Sequence, residues 1–158
     1  GVPAGSGIVI NSNDAVEIFD NDLSDNDTAH IIISSVFSTN YAARETAAGF
    51  DPYPETIFIH DNRYGPGGGS PDTLELKALK LAMFGLTGSF PHVIWDGFMN
   101  EEKAIDGGMA PELNFCIANE PETELLNVDG PGGYGNPSVE KAAFDCRHAA
   151  LPPVVLAL

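Results

Sequence analysis

Short apolar runs broken by clusters of Asn, Asp and Ser set the pattern of the first third of the chain. Gly7-Ile-Val-Ile10, Ala15-Val-Glu-Ile-Phe19 and His30-Ile-Ile-Ile-Ser34 are each of strand length and rich in β-branched residues. Between them lie Asn11-Ser-Asn-Asp14 and Asp20-Asn-Asp22. Asn and Asp tolerate the left-handed conformation and bond their own backbone, so these clusters predict tight corners. The strand pattern then recurs. Val16-Glu-Ile-Phe-Asp-Asn21 is echoed by Thr56-Ile-Phe-Ile-His-Asp-Asn62 and, more faintly, by Leu113-Asn-Phe-Cys-Ile-Ala-Asn119. A strand that repeatedly runs into a corner asparagine is the mark of a coiled β solenoid, whose turns stack so that corner side chains can ladder. A sandwich would show hairpin signals every 8–12 residues. Only Asp96-Gly97, Asp106-Gly107 and Asp129-Gly130 offer one here.

The spacing of the repeats is uneven, so insertions must lie between turns. Residues 38–55 form a long loop with Pro and aromatic residues, and Gly65-Pro-Gly-Gly-Gly-Ser70 is a connector into the one clear helix. Ser70 is expected at its N-cap and Pro71 at N1, with Asp72 and Glu75 in the first turn and Gly85 ending it. Leu74, Ala78 and Leu81 mark one apolar face, with Leu76, Leu79 and Met83 beside it; Lys77 and Lys80 are expected in water. That wide stripe predicts a helix packed on the body. His92-Val-Ile-Trp-Asp96 reads as a further strand, with Trp95 in the core. The Pro- and Gly-rich residues 121–158 read as an irregular cover, ending in an apolar strap from Leu151 to Leu158.

Composition narrows the partners. Seven Lys and Arg stand against 23 Asp and Glu, a formal charge of −16, while 43% of the 158 residues are hydrophobic. The chain can therefore build a core, but it lacks the basic face that nucleic acid requires. No apolar run approaches the length of a membrane span, so membrane insertion is not expected. Hard divalent cations suit so many carboxylates, and calcium is the one expected cofactor; otherwise the acidity keeps the protein in solution. Two cysteines, Cys116 and Cys146, fit a single disulfide in an oxidising compartment, against the alternative of two separate buried thiols. Zinc is disfavoured, since there is no CxxC and the four histidines (His30, His60, His92, His148) are scattered.

The stretch Gly7-Ile-Val-Ile…Ala15-Val-Glu-Ile-Phe-Asp-Asn-Asp-Leu-Ser-Asp-Asn26 resembles the right-handed parallel β-helix repeats of pectate-lyase-like and copper-site-maturation (NosD-like) proteins. Phe50-Asp-Pro-Tyr-Pro-Glu-Thr-Ile-Phe-Ile-His-Asp-Asn62 and Phe90-Pro-His-Val-Ile-Trp-Asp-Gly97, with the Asn136-Pro-Ser138 region and the Cys146 tail, are similar to the C-terminal part of bacterial exported parallel β-helix domain proteins. The resemblance implies an extracellular or periplasmic protein with further turns before Gly1. It implies an all-β class: a right-handed parallel β-helix with one inserted α-helix. Residues 1–120 would form the turns, with insertions at 38–55 and 65–90, and 121–158 a cap on the same domain. An uncapped first turn would expose strand edges, and a second copy stacked head to tail on it would build a filament.

The fold hosts many activities, so function must be sought in side chains. Asp20, Asp22, Asp25 and Asp27 lie in one eight-residue stretch, and are either calcium ligands or the ordinary residues of a solvated corner. A polysaccharide lyase would need calcium carboxylates and a basic residue, for which Arg63 stands first and Arg44 second. A glycoside hydrolase would need paired carboxylates, for which Asp20, Asp22 and Asp61 are available. Tyr41, Tyr53 and Tyr64 could line a sugar groove or simply pack their rings. Asn26-Asp-Thr28 matches the glycosylation pattern. Three readings follow: a non-catalytic structural or glycan-contacting surface module, a calcium-dependent lyase or hydrolase, and a filament subunit that self-associates through its solenoid ends.

Overall fold

The computed structural model describes residues 2–39, 48–118 and 122–153. Tyr41, Arg44, the corner residue Asn119 and the last five residues of the strap lie outside them.

Among the described residues nine short strands and one α-helix carry the fold. Among the described residues these strands pair with one another in parallel and fall into three sheets, with an isolated antiparallel bridge from Asn127 to Ser138 beside them. Sheet A contains β1 (Ser6–Asn11), β4 (Ala29–Ser34), β7 (Val93–Trp95) and β9 (Leu125–Asn127), in that order. Sheet B contains β2 (Asp14–Phe19), β5 (Glu55–His60) and β8 (Phe115–Ile117), and sheet C pairs β3 (Asp22–Leu23) with β6 (Arg63–Tyr64). Along the chain the strands visit A, B and C, then A, B and C again, then A, B and A. The architecture is thus strands in parallel sheets with one added helix.

The register follows the sequence repeat. Val16, Glu17, Ile18 and Phe19 pair with Ile57, Phe58, Ile59 and His60, and Ile57 to Ile59 pair in turn with Phe115 to Ile117. Alternation does the rest, since successive side chains on a strand point to opposite faces. Ile31, Ile33, Ile57, Ile59, Phe115 and Ile117 face one shared, nearly dry core. Trp95 joins them, with its ring 5.1 Å from Phe115 and 5.5 Å from Phe144.

The corners ladder as the repeat predicts. Asp20 and Asp61 both hold positive φ, at 53° and 51°, and place Asn21 and Asn62 one above the other. The buried Asn62 accepts through Oδ1 from the Asn21 backbone N–H at 3.1 Å and from Asn21 Nδ2 at 2.9 Å. Its Nδ2 donates to the Ile18 and His60 carbonyls.

Helix α1 (Leu74–Phe84) starts later than its sequence suggests. Thr73, and not Ser70, is the N-cap, its side chain accepting from Leu76 N–H. The reason lies upstream: Ser70 N–H donates to the Asp27 carbonyl and Asp72 N–H to Thr28 Oγ1, which ties 70–72 to a corner of the sheets. The helix is also turned from the expected orientation. Leu76, Leu79, Met83 and Phe84 pack on the outer face of sheet A, whereas Leu74 and Leu81 stand 79% and 56% exposed. Gly85, at φ 74°, ends the helix as expected.

The C-terminal segment covers sheet B. Cys146 bonds Cys116 on β8, His148 meets the Phe58 ring edge-on over β5, and Leu151 N–H donates to Glu17 on β2. It therefore crosses all three strands, and Phe144 before it stacks at 4.1 Å on Phe115.

Candidate functional site

In the acidic corner that the sequence singles out, Asp20 and Asp22 are engaged by Arg63. Asp22 pairs with Arg63 across β3 and β6, and Arg63 Nη1 lies 3.2 Å from Asp20. The Arg63 hydrogen bond holds the Asp22 carboxyl below the usual range. The same bond, with a second from Asp20, raises the guanidinium's hold on its proton, the direction opposite to a general base. Asp25 and Asp27 are exposed and stand apart from this pair. Among the described residues no three His, Cys, Asp or Glu side chains converge as a metal-binding group.

Asp61 belongs to a different cluster. Its carboxylate takes His60 Nδ1 at 2.6 Å, and Glu17 Oε1 takes His60 Nε2 at 3.0 Å. The His60 ring is sandwiched between Phe58 at 4.1 Å and Phe19 at 5.3 Å. The His60 hydrogen bond, followed by the Leu151 N–H, keeps the Glu17 carboxyl below its ordinary value. Both imidazole nitrogens are thus occupied, and the cluster acts as a clip that anchors the C-terminal segment on sheet B.

Of the three candidate tyrosines Tyr41 lies outside the described residues, and Tyr53 and Tyr64 pack in different surroundings. Tyr53 contacts Phe37, which also meets Phe98, on the loops that follow sheet A. Tyr64 stacks flat on His92 at 4.2 Å and lies 5.6 Å from His30. Burial pushes its hydroxyl above the ordinary range, partly offset by bonds to Thr123 and Asn62. Asn26 turns its amide nitrogen to His30 Nδ1 at 3.0 Å, so the atom that would carry a glycan is engaged. His30 Nε2 meets the Gly65 carbonyl at 3.1 Å. With Nδ1 accepting from Asn26, Nε2 is the protonated nitrogen and the ring is neutral. Burial lowers the proton affinity of both His30 and His92.

What sequence reasoning missed is the outer face of sheet A. Two rows of residues run across its strands. One is aliphatic: Val9 pairs with Ile32, Ile32 with Ile94, and Ile94 with Leu126. The other is polar, with Asn11, Ser34 and Asp96. Helix α1 lies over this face, leaving a cleft of about 700 Å³ lined by Val9, Ile32, Ile94, Leu76, Leu79 and Asp96 among others. Asp96 is only 5% exposed. Its Oδ2 accepts from Ser35 N–H at 2.6 Å and from the Ser35 and Ser38 hydroxyls at 2.8 Å each, and Oδ1 accepts from Phe98 N–H at 3.1 Å. Ligand sites are typically concave and mainly apolar with a few fixed polar groups, which describes this cleft. The signal was present in the unbroken run Ile31-Ile32-Ile33: a strand apolar on both faces must be covered on both.

Compared with known proteins, the chain matches no family model, no curated protein and no solved structure.

Proposed function

We propose that the three sheets are the faces of a right-handed parallel β-helix, and that the protein is an exported, non-catalytic contact module which binds a ligand in the cleft between α1 and sheet A. The cyclic order of the strands supports the coil, and the near-universal right-handedness of parallel crossovers supports its hand. The disulfide supports an oxidising, extracellular or periplasmic setting. The observation that carries the binding reading is the cleft itself, a mostly apolar space of about 700 Å³ on the outside of the sheet. Saturable binding of the neutral dye Nile red, lost in Leu79→Asp, is the expected result. Absence of binding by the folded protein would overturn it.

A lyase or hydrolase has less behind it, because Arg63, Asp20 and Asp22 are bound to one another and Asp61 to His60. Eliminative cleavage of an acidic polysaccharide, abolished by chelator and by Arg63→Ala, would restore that reading and calcium with it. A glycan as partner finds its best support in the Phe37, Tyr53 and Phe98 rings, the first of them 44% exposed. Head-to-tail self-association is favoured by β1, β2 and β3, which among the described residues pair on one edge only. Sedimentation showing growth with concentration would support it, and a monomer at every concentration would exclude it.

A further inference from the structure

The chemistry of the cleft lining points to the kind of ligand it takes, an inference that rests on the cleft being a binding site at all. Its floor is the aliphatic row Val9, Ile32 and Ile94, and its roof is Leu76 and Leu79. Neighbouring strands are about 4.8 Å apart, so the three floor residues span roughly 10 Å, the length of a medium alkyl chain. The polar row runs directly beside this floor, one residue pair further along the strands, and ends in Asp96. Among the described residues the lining contains no Lys, Arg or His, and its carboxylic acids are Asp96 and Glu75.

Asp96 gives the second observation. It is buried and satisfied by four neutral donors, yet among the described residues no cation lies within salt-bridge distance of it. A buried carboxylate accepting neutral hydrogen bonds retains its net charge and the field that goes with it. An anionic head group entering the cleft would meet this charge and Glu75, with no counterion among the described lining residues. A cationic head would complete the pair. Oδ1, with a single donor, has acceptor capacity left.

We infer that the cleft binds a single-chain amphiphile with a cationic head group, its alkyl chain along Val9–Ile32–Ile94 under the helix and its head beside Asp96. Fatty acids and other anionic amphiphiles are disfavoured by Asp96 and Glu75.

Calorimetric titration of the whole protein with three decyl probes below their micelle concentrations tests this: decyltrimethylammonium, decyl maltoside and decanoate. The expected result is saturable binding with decyltrimethylammonium at least tenfold tighter than decanoate, the margin narrowing as salt is raised. Leu79→Asp, which blocks the roof while adding negative charge, is expected to abolish binding. If the ammonium probe still binds this variant, it is drawn to the acidic surface at large and the inference falls. Asp96→Asn is expected to bring the probes to within threefold of one another. Should that variant not fold, the salt dependence of the native protein and chemical-shift changes confined to Ile32, Ile94 and Leu79 decide in its place. Equal affinity for all three probes would overturn the head-group inference and leave the cleft standing. No binding of any probe would overturn both.

Discussion

Asn62→Ala removes the residue that couples two successive corners, and its cost can be worked from the contacts. Asn62 is 1% exposed and makes four hydrogen bonds, two accepted from Asn21 and two donated to the Ile18 and His60 carbonyls. A typical intramolecular hydrogen bond contributes about 1 kcal/mol net, and leaving a buried partner unpaired costs about 1–3 kcal/mol. The half-buried Asn21 amide keeps its bond to the Phe19 carbonyl, but the Ile18 carbonyl and Asn21 N–H are held by the corner backbone. The expected loss is therefore about 3–4 kcal/mol, or a melting temperature lower by roughly 6–16 °C for a chain of this size. Urea denaturation followed by Trp95 fluorescence provides the assay, since the only tryptophan reports from the core. Asn21→Ala is the internal control. It keeps its backbone N–H bond to Asn62 and loses only the amide pairs, so about 1 kcal/mol or less is expected. Equal and small losses in the two variants, below about 1 kcal/mol each, would refute the claim that the corner ladder holds the turns together.

Three further outcomes follow from the structure. Reducing Cys116–Cys146, which closes a loop of sequence separation 30, is expected to lower stability by about 3–4 kcal/mol in denaturant titrations with and without reductant. Gly7→Ala would place a Cβ 2.6 Å from the His30 carbonyl oxygen between β1 and β4, and a loss of about 2 kcal/mol or more is expected from calorimetric melting. Stability is expected to fall as pH drops below 6.5, the ordinary value for His30 and His92. Both are harder to protonate in the fold than in the unfolded chain, so the unfolded state takes up protons first. Denaturant midpoints measured from pH 7.5 down to 5 should show this decline, and His30→Gln should reduce it.

Much of the fold is legible because the core and the corners are governed by local rules. The alternation in Val16–Phe19 and Thr56–Ile59 sets which side chains face inward, and the terminal Asn21 and Asn62 set the stacking register. The cysteines were readable for their pairing, though only the fold places Cys146 over β8. The helix boundary was not readable. Capping preference alone favours Ser70, but long-range bonds from Ser70 and Asp72 to the 27–28 corner override it. Its facing was likewise hidden, since α1 carries leucines on both sides and only the position of sheet A selects Leu76 and Leu79.

Candidate chemistry was legible where it is dense in sequence and obscure where it is assembled. Asp20, Asp22 and Arg63 stand out as letters, and the structure turns them into an exposed ion-pair network. Exposed pairs of that kind contribute little to stability. The cleft, by contrast, draws on β1, β4, β7 and α1, segments separated by the long insertions. No spacing rule along the chain joins Val9, Ile32, Leu79 and Asp96; only parallel stacking does.

That stacking is also what a single solution measurement can reach. Nuclear Overhauser contacts on isotope-labelled protein should link Val9 to Ile32, Ile32 to Ile94 and Ile94 to Leu126 in the staggered pattern of parallel strands, with matching contacts from Ile18 to Ile59 and from Ile59 to Ile117. Close Hα–Hα contacts between directly opposed residues of these segments, the signature of antiparallel neighbours, would contradict the coil, the cleft on its flank and the ligand assigned to it.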